Sequence, residues 1–169
     1  MSRFSRFLFV VAATVFAAAC TDGAKIQGSL EGASASDVVV TLLNINRYEV
    51  LDTVRTDASG NFTYKVEVAK GQPEFVYLFH NDTKVASLLL EAGDKVKVQA
   101  DTLGNYSVEG SEESVKLAQV EKSYAAVYAR LEALSDAVET ADAKELDILR
   151  EKIGKEYLNY YRECVRYVI

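Results

Sequence analysis

The chain has 169 residues, of which 49% are hydrophobic, and this is enough for one folded domain with a substantial core. Its 25 acidic and 19 basic side chains give a net charge of −6. No cluster of Lys and Arg offsets this charge locally, so the composition argues against nucleic acid as a partner.

The N-terminal segment has the order of a targeting signal. A basic start with Arg3 and Arg6 precedes an apolar run over 7–19, which is shorter than the about 20 residues that cross a bilayer. Three alanines end this run directly before Cys20. The order resembles a bacterial lipoprotein signal, in which small residues admit a peptidase and the cysteine thiol accepts a diacylglyceryl group. Ala17 stands where that pattern usually has leucine.

We therefore predict a signal peptide over 1–19, acylation of Cys20 and a short tether over 20–24. Loss of Arg3 and Arg6 would leave 17 basic against 25 acidic side chains, so acyl chains and not charge must attach the protein to a membrane. The expected location is the cell envelope, at the outer membrane, on its periplasmic face or at the cell surface. An ordinary secretory signal followed by a free cysteine is the alternative.

Residues 25–110 carry the period of β-strands. Apolar side chains alternate with polar ones or form short runs, and Gly, Asn, Asp and Ser stand where the runs stop. In the clearest strand, Phe62, Val66 and Val68 share one face, and Lys65 lies on the other. The predicted strands are 25–30, 37–44, 48–56, 61–68, 74–80, 84–91, 95–100 and 105–108. About eight short strands in series predict an antiparallel β-sandwich.

From residue 111 the period becomes helical. Apolar side chains recur every three or four residues at Leu117, Val120, Tyr124, Val127, Leu131, Leu134 and Val138. A second stripe follows at Leu146, Leu149, Ile153, Tyr157, Tyr160, Cys164 and Tyr167. Ser111 is expected to cap the first helix and Thr140 the second, which begins near Ala141. The pattern predicts an antiparallel helical hairpin over 111–169, and thus a mainly β fold with C-terminal helices. Because the pattern continues to the last residues, this hairpin could also serve as a linker to a further domain.

Several segments carry a family resemblance. They are LDTVRTDASGNFTYKVEV over 51–68, with the pattern T-D-x-x-G-x-F, LLLEAGDKVKVQAD over 88–101, and NYSVEGSEES over 105–114, with the pattern V-x-G-S-x-E. Together with the lipoprotein signal, they resemble the domain of unknown function 4369 over 24–134. That domain is found at the N-terminus of many Bacteroidetes-type lipoproteins, where a thioredoxin-like domain with Cys-x-x-Cys commonly follows. The resemblance implies association with envelope redox proteins, although this chain contains no Cys-x-x-Cys.

The residues that could carry chemistry favour structural roles. Cys164 lies on a helical stripe and is expected to be a small buried apolar residue. His80 is the only histidine, so it cannot belong to a multi-histidine metal site. The loop over 57–61 lacks the ligand spacing of an EF-hand and is interpreted as a turn. We expect no catalytic residue, no cofactor and no metal in this chain.

Tyrosines are frequent in the predicted helices, and most of them fall on the two stripes. Tyr128 and Tyr161 lie beside the stripes, so we expect them to form a surface that meets a partner.

Two functions remain open from the sequence. In the first, the chain is a lipid-anchored, non-catalytic envelope lipoprotein whose sandwich is an accessory or binding module; its partners are the membrane, through Cys20, and a protein. In the second, it is the N-terminal part of an envelope thiol:disulfide oxidoreductase whose thioredoxin-like domain lies beyond residue 169.

Overall fold

A computed structural model describes residues 23–168 of the chain. The predicted signal peptide over 1–19 and the predicted acylation site Cys20 lie outside the described residues. The elements in chain order are β1 (Ala24–Glu31), β2 (Asp37–Asn44), β3 (Arg47–Arg55), β4 (Asn61–Val66), β5 (Glu74–His80), β6 (Thr83–Leu90), β7 (Lys95–Asp101), β8 (Tyr106–Glu109), α1 (Glu112–Thr140) and α2 (Ala143–Val168). The predicted fold, mainly β with a C-terminal helical hairpin, is confirmed.

The strands form two four-stranded sheets, in the orders β4-β1-β7-β8 and β3-β2-β5-β6. All neighbouring strands are antiparallel except β1 and β7, which run parallel with Lys25 opposite Lys95 and Glu31 opposite Asp101. The expectation of an antiparallel sandwich is therefore corrected at this one pair. β1 can pair with β7 in parallel because five strands and their connections, which include the whole second sheet, separate the two in sequence.

The core fills the space between the sheets and follows the period-two pattern. β4 buries Phe62 and Val66 and exposes Lys65, as the alternation predicts. The Phe62 ring lies directly over Gly28 in β1, where a Cβ atom would collide with it. The other core side chains are mainly the valines and leucines of β2, β5, β6 and β7.

Helix α1 lies along one open side of the sandwich. β8 ends the first sheet and β6 ends the second, and α1 packs against both of these edge strands. An uncovered edge strand offers free backbone groups to other chains. The helix therefore closes this side of the sandwich.

Helix α2 packs antiparallel along α1, and its start differs from the prediction. Thr140 is the last residue of α1, and the cap of α2 is Asp142, whose Oδ1 accepts the amides of Lys144 and Glu145 at 2.9 Å each. Glu145 accepts in return from the Asp142 amide at 3.2 Å, which completes a capping box. Across residues 23–168, neither helix is apolar enough over sufficient length to cross a membrane.

The two predicted stripes form the seam between the helices, with exceptions. Leu146, Leu149 and Ile153 are half-buried, as expected for a two-helix contact. Tyr124 and Tyr157 are exposed instead of buried. Two helices alone cannot enclose large side chains on both flanks of their contact, so these rings extend into solvent.

Candidate functional site

The start of α1 is fixed to the edge of β6 by two serines. Ser111 caps the helix by accepting from the Ser114 amide at 3.4 Å, and its hydroxyl donates to the Leu89 carbonyl at 3.3 Å. The fully buried Ser114 hydroxyl donates to the same carbonyl at 2.8 Å and accepts from the Leu89 amide at 3.1 Å. Gly110 precedes them with a φ of +89°, and a Cβ there would collide with the Lys95 carbonyl oxygen. The V-x-G-S-x-E segment thus connects the sandwich to the helix. We call Ser111 and Ser114, with their hydrogen bonds to Leu89, the serine joint.

Two turns after Ser114, Glu121 joins α1 to both sheets. Its Oε1 accepts from Lys84 Nζ at 2.7 Å and from the Ser87 hydroxyl at 2.8 Å, both in β6. Its Oε2 accepts from the Tyr106 hydroxyl in β8 at 2.9 Å. The Lys84 ammonium also lies 5.7 Å from the centroid of the Tyr77 ring. We call Glu121 with its three donors the Glu121 cluster.

The electrostatics of the Glu121 cluster favour one protonation state. Burial alone would raise the pKa of Glu121, but hydrogen bonds from its three donors, of which Lys84 contributes most, hold this pKa below its ordinary value. Burial, and then the charge of Glu121, raises the pKa of Tyr106 well above its ordinary value. At neutral pH the cluster is therefore a carboxylate that accepts from a protonated phenol, a hydroxyl and an ammonium group.

A cleft of about 620 Å³ lies beside the Glu121 cluster. The turn between β7 and β8 forms one wall through Gly104 and Asn105, and α1 forms another. The rings of Tyr124 and Tyr160 lie 5.7 Å apart, edge to face, and close the end towards α2. Lys122 supplies a cationic side chain at the cleft, so the cleft combines aromatic faces, backbone and amide groups and a positive charge. We call this space the hairpin cleft.

The tyrosines predicted to meet a partner are both exposed on the hairpin. Tyr128 is 59% exposed and stacks on Tyr124, with ring centroids 6.2 Å apart. Tyr161 is 67% exposed and lies on α2. Because Tyr124 contacts Tyr160 in the seam, Tyr128 lies one turn of α1 away from the level of Tyr160 and Tyr161. Both predicted residues are thus exposed on the hairpin, and neither of them lines the hairpin cleft.

The contacts of Cys164 and His80 fit structural roles. Cys164 is half-buried, where full burial was expected, and a side-chain hydrogen bond with it raises the pKa of Tyr160. His80 is buried, with Nδ1 at 3.1 Å from the Asp37 carbonyl and Nε2 at 3.1 Å from Asn81 Nδ2. Within the described part of the chain, no three His, Cys, Asp or Glu side chains come together in a group that could hold a metal ion.

The turn over 57–61 has a counterpart over 101–105. Both have the sequence D-x-x-G-N, and in both the aspartate Oδ1 accepts the amides of the third and fifth residues at 2.8 to 2.9 Å. Hydrogen bonds, first of all from the asparagine, lower the pKa of Asp57 and of Asp101. Since the carboxylate oxygens are used by backbone and amide donors, the interpretation of 57–61 as a turn agrees with the geometry.

The T-D-x-x-G-x-F segment is likewise part of the framework. The buried Thr56 hydroxyl donates to the Ala33 carbonyl at 2.7 Å and ties the start of the turn to the loop after β1. Gly60 has a φ of +81°, and a Cβ there would collide with the Leu30 carbonyl oxygen. The motif thus packs two loops closely together and directs Phe62 into the core.

Sequence reasoning did not identify the Glu121 cluster. In the sequence, Glu121 is a polar residue between apolar positions of α1, and nothing in its spacing distinguishes it from a solvated glutamate. One signal was available: Ser87 interrupts the apolar run V-A-S-L-L-L of β6, and a polar residue in a buried strand needs a hydrogen-bond partner.

Comparison with known proteins gives one family and no curated relative. The family model described as "Domain of unknown function (DUF4369)" matches residues 24–117, which is more than half of the chain. The match begins at the first residue of β1 and ends in the first two turns of α1, so it contains all eight strands and the serine joint. No curated protein matches the chain. On the family match, the chain is a member of the DUF4369 family.

Proposed function

We propose that this chain is a lipid-anchored, non-catalytic module of the cell envelope that binds a ligand or a protein segment in the hairpin cleft. The observation that carries the proposal is the Glu121 cluster. It fixes one wall of the cleft to both sheets, so the cleft keeps its shape before anything binds, and a preformed site loses less entropy on binding.

The hydrogen bonds and protonation states of the Glu121 cluster support a non-catalytic role. Both carboxylate oxygens are occupied by donors of the chain itself, and the low pKa of Glu121 and the high pKa of Tyr106 leave neither group ready to exchange a proton near neutral pH. The cluster therefore acts as a brace between the helix and the sandwich.

The short tether supports attachment close to a membrane. The signal-like order of the N-terminal segment ends at Cys20, and β1 begins at Ala24, so three residues separate the proposed acyl anchor from the sandwich. Extended, such a tether spans roughly 10–14 Å. The sandwich would thus lie against the membrane surface, with two acyl chains needed for stable anchoring.

Site-specific photo-cross-linking in cells tests the binding role. A photoreactive side chain at Ala125, which lines the cleft, is expected to give a defined cross-linked product. Ala133 is the matched control, because it is exposed on the same helix and does not line the cleft. Ala118→Trp, which fills the cleft from the α1 wall, is expected to abolish the product formed at position 125. Products that are the same at both positions, or that survive the tryptophan, would contradict a site in the cleft.

A further inference from the structure

Helix α2 has two apolar faces, and within residues 23–168 only one of them has a neighbour. The half-buried face consists of Leu146, Leu149, Ile153, Glu156, Tyr160 and Cys164, and it contacts α1. The second face consists of Gly154, Leu158 and Tyr161, at spacings of four and three residues, and the half-buried Val165 follows one turn later. At 100° per residue the two faces are about 130° apart, so α1 cannot cover both. Leu158 is 48% exposed and Tyr161 67% exposed. We call this second face the outer α2 face.

A glycine, Gly154, lies at the N-terminal end of the outer α2 face. Gly154 weakens the helix because it has no side chain to restrict the unfolded backbone. It is not required for packing within the chain, since a Cβ atom at this position would have no other atom within 4 Å. The glycine therefore leaves a hollow at the start of the apolar stripe, next to the exposed side chains of Leu158 and Tyr161 on the following turns.

We propose that the outer α2 face binds the same face of a second copy of this chain, with the two α2 helices antiparallel. In this arrangement, Leu158 of each copy enters the hollow above Gly154 of the other. A two-fold axis near residue 156 relates the two copies. The two contacts between Leu158 and Gly154 are therefore equivalent, as an interface between identical surfaces requires. The glycine allows the two backbones to approach closely at this point.

Charges beside the outer α2 face fit the antiparallel arrangement. The two-fold axis that pairs Leu158 with Gly154 also brings Arg162 of one copy to the level of Glu151 of the other. Among the described residues Arg162 forms no ion pair, and Glu151 has only an exposed contact with Lys155 in its own helix. The Tyr161 hydroxyl reaches the same level and can donate to the Glu151 carboxylate. A parallel arrangement would instead place Glu151 beside Glu151.

The area of the outer α2 face sets the strength of the contact. Each tyrosine contributes about 150–250 Å² when fully buried. Tyr157 lies at the edge of this face, between it and the half-buried face. With the observed exposure of Leu158, Tyr161 and Tyr157, these side chains supply on the order of 400 Å² per copy, against about 800 Å² in a standard interface. The dimer is therefore weak and reversible in solution. Copies held on one membrane would meet at a higher effective concentration.

Cysteine cross-linking in membranes that carry the full chain tests the proposal. In a Cys164→Ser background, Tyr157→Cys places a thiol close to the two-fold axis, and a short bifunctional maleimide is expected to give a product of twice the chain mass. Ala133→Cys, exposed on α1, is the matched control and is expected to give little product. Equal yields at the two positions, or a product of another mass at position 157, would overturn the proposal. Neither outcome depends on the hairpin cleft, so the test is independent of the proposed binding role.

Two further variants separate the contact from effects on folding. Gly154→Trp fills the hollow and is expected to reduce the yield at position 157 by roughly tenfold, with the melting temperature unchanged or raised. Arg162→Glu is expected to reduce the yield, and the added change Glu151→Arg is expected to restore it. A yield that is unaffected by Gly154→Trp, or a charge exchange without restoration, contradicts the antiparallel arrangement.

Discussion

The hydroxyl group of Ser114 bonds to both backbone groups of Leu89, as donor to the carbonyl at 2.8 Å and as acceptor from the amide at 3.1 Å. Leu89 lies in β6, which is the last strand of its sheet. One side chain of α1 thus replaces the hydrogen bonds that a further strand would provide.

Removal of this hydroxyl should destabilise the fold. Ser114→Ala leaves buried backbone groups of Leu89 with poorer partners, and we expect the free energy of unfolding to fall by about 2 kcal/mol. Ser135→Ala, at an exposed position of the same helix, gains the same helix propensity and should be neutral or slightly stabilising. Urea unfolding monitored by circular dichroism measures both. Equal stabilities of the two variants would show that the serine joint contributes little.

The Glu121 cluster predicts an acid-dependent part of the stability. The pKa of Glu121 is lower in the folded chain than its ordinary value of 4.5, so its contribution is fully present above about pH 4.5 and is lost as the pH falls through the lower, folded value. Glu121→Gln should cost about 1–2 kcal/mol at pH 7 and much less near pH 3.

The measurement is the difference between the unfolding free energies of Glu121→Gln and the unchanged chain across pH 3 to 7. Asp57 and Asp101 also have lowered pKa values, but they are present in both proteins and cancel in the difference. A difference that stays constant with pH would contradict the charged state assigned to Glu121.

The register of β4 predicts opposite outcomes for two neighbouring residues. Val66 is 1% exposed, so Val66→Asp puts an unpaired carboxylate into the core and should cost several kcal/mol, on the order of the whole stability. Lys65→Asp should be close to neutral, because this side chain is exposed and lies opposite Lys25, which gains an opposite charge. The melting temperatures of the two variants test this prediction, and similar values would contradict the register of β4.

The strands and helices could be predicted because their patterns are local. The alternation in β4 and the three-to-four spacing in α1 depend only on which face meets the core. The parallel pairing of β1 with β7 could not be predicted in this way, since each strand shows the same alternation whichever neighbour it has. The predicted cap of α2, Thr140, was wrong, and the cap is Asp142. Both side chains can cap a helix, and the choice depends on where α1 ends, which the local pattern does not show.

The candidate site was less accessible from the sequence than the fold. Tyr128 and Tyr161 are exposed, as their position beside the stripes suggests, and the partner surface assigned to them stays a prediction. The Glu121 cluster was missed because its members come from three elements that are far apart in the chain. The expected burial of Tyr157 was wrong. A stripe shows which face of a helix is apolar, but not how much of that face the neighbouring helix covers.

The predicted targeting signal implies a covalent change at Cys20. Metabolic labelling with a fatty-acid analogue should mark the unchanged chain, and Cys20→Ser should lose the label. Cys164→Ser is the control for the other thiol and should keep it. Equal labelling of the Cys20→Ser variant would exclude Cys20 as the acylated residue.

The joint between β8 and α1 predicts that Gly110 tolerates no side chain. Gly110→Ala combines a positive φ with a collision at the Lys95 carbonyl oxygen, and we expect a loss of at least about 2 kcal/mol. Gly71→Ala has a similar φ of +75° but open space around its Cβ, so only the backbone strain of about 1 kcal/mol should remain. Denaturant midpoints of the two variants measure their losses of stability. Equal losses would show that the collision at the Lys95 carbonyl oxygen contributes nothing.

The parallel pairing of β1 and β7 determines the order in which this chain can complete its fold. The two strands join residues that are 70 positions apart, such as Lys25 and Lys95, whereas β5 and β6 are joined by a short turn. Contacts of such separation form slowly because a long loop must close first. A chain that is synthesised from its N-terminus can thus form its second sheet while one edge of β1 is still unpaired. The strand next to the proposed anchor gains its second partner only when the last strands and α1 are available to close the sandwich.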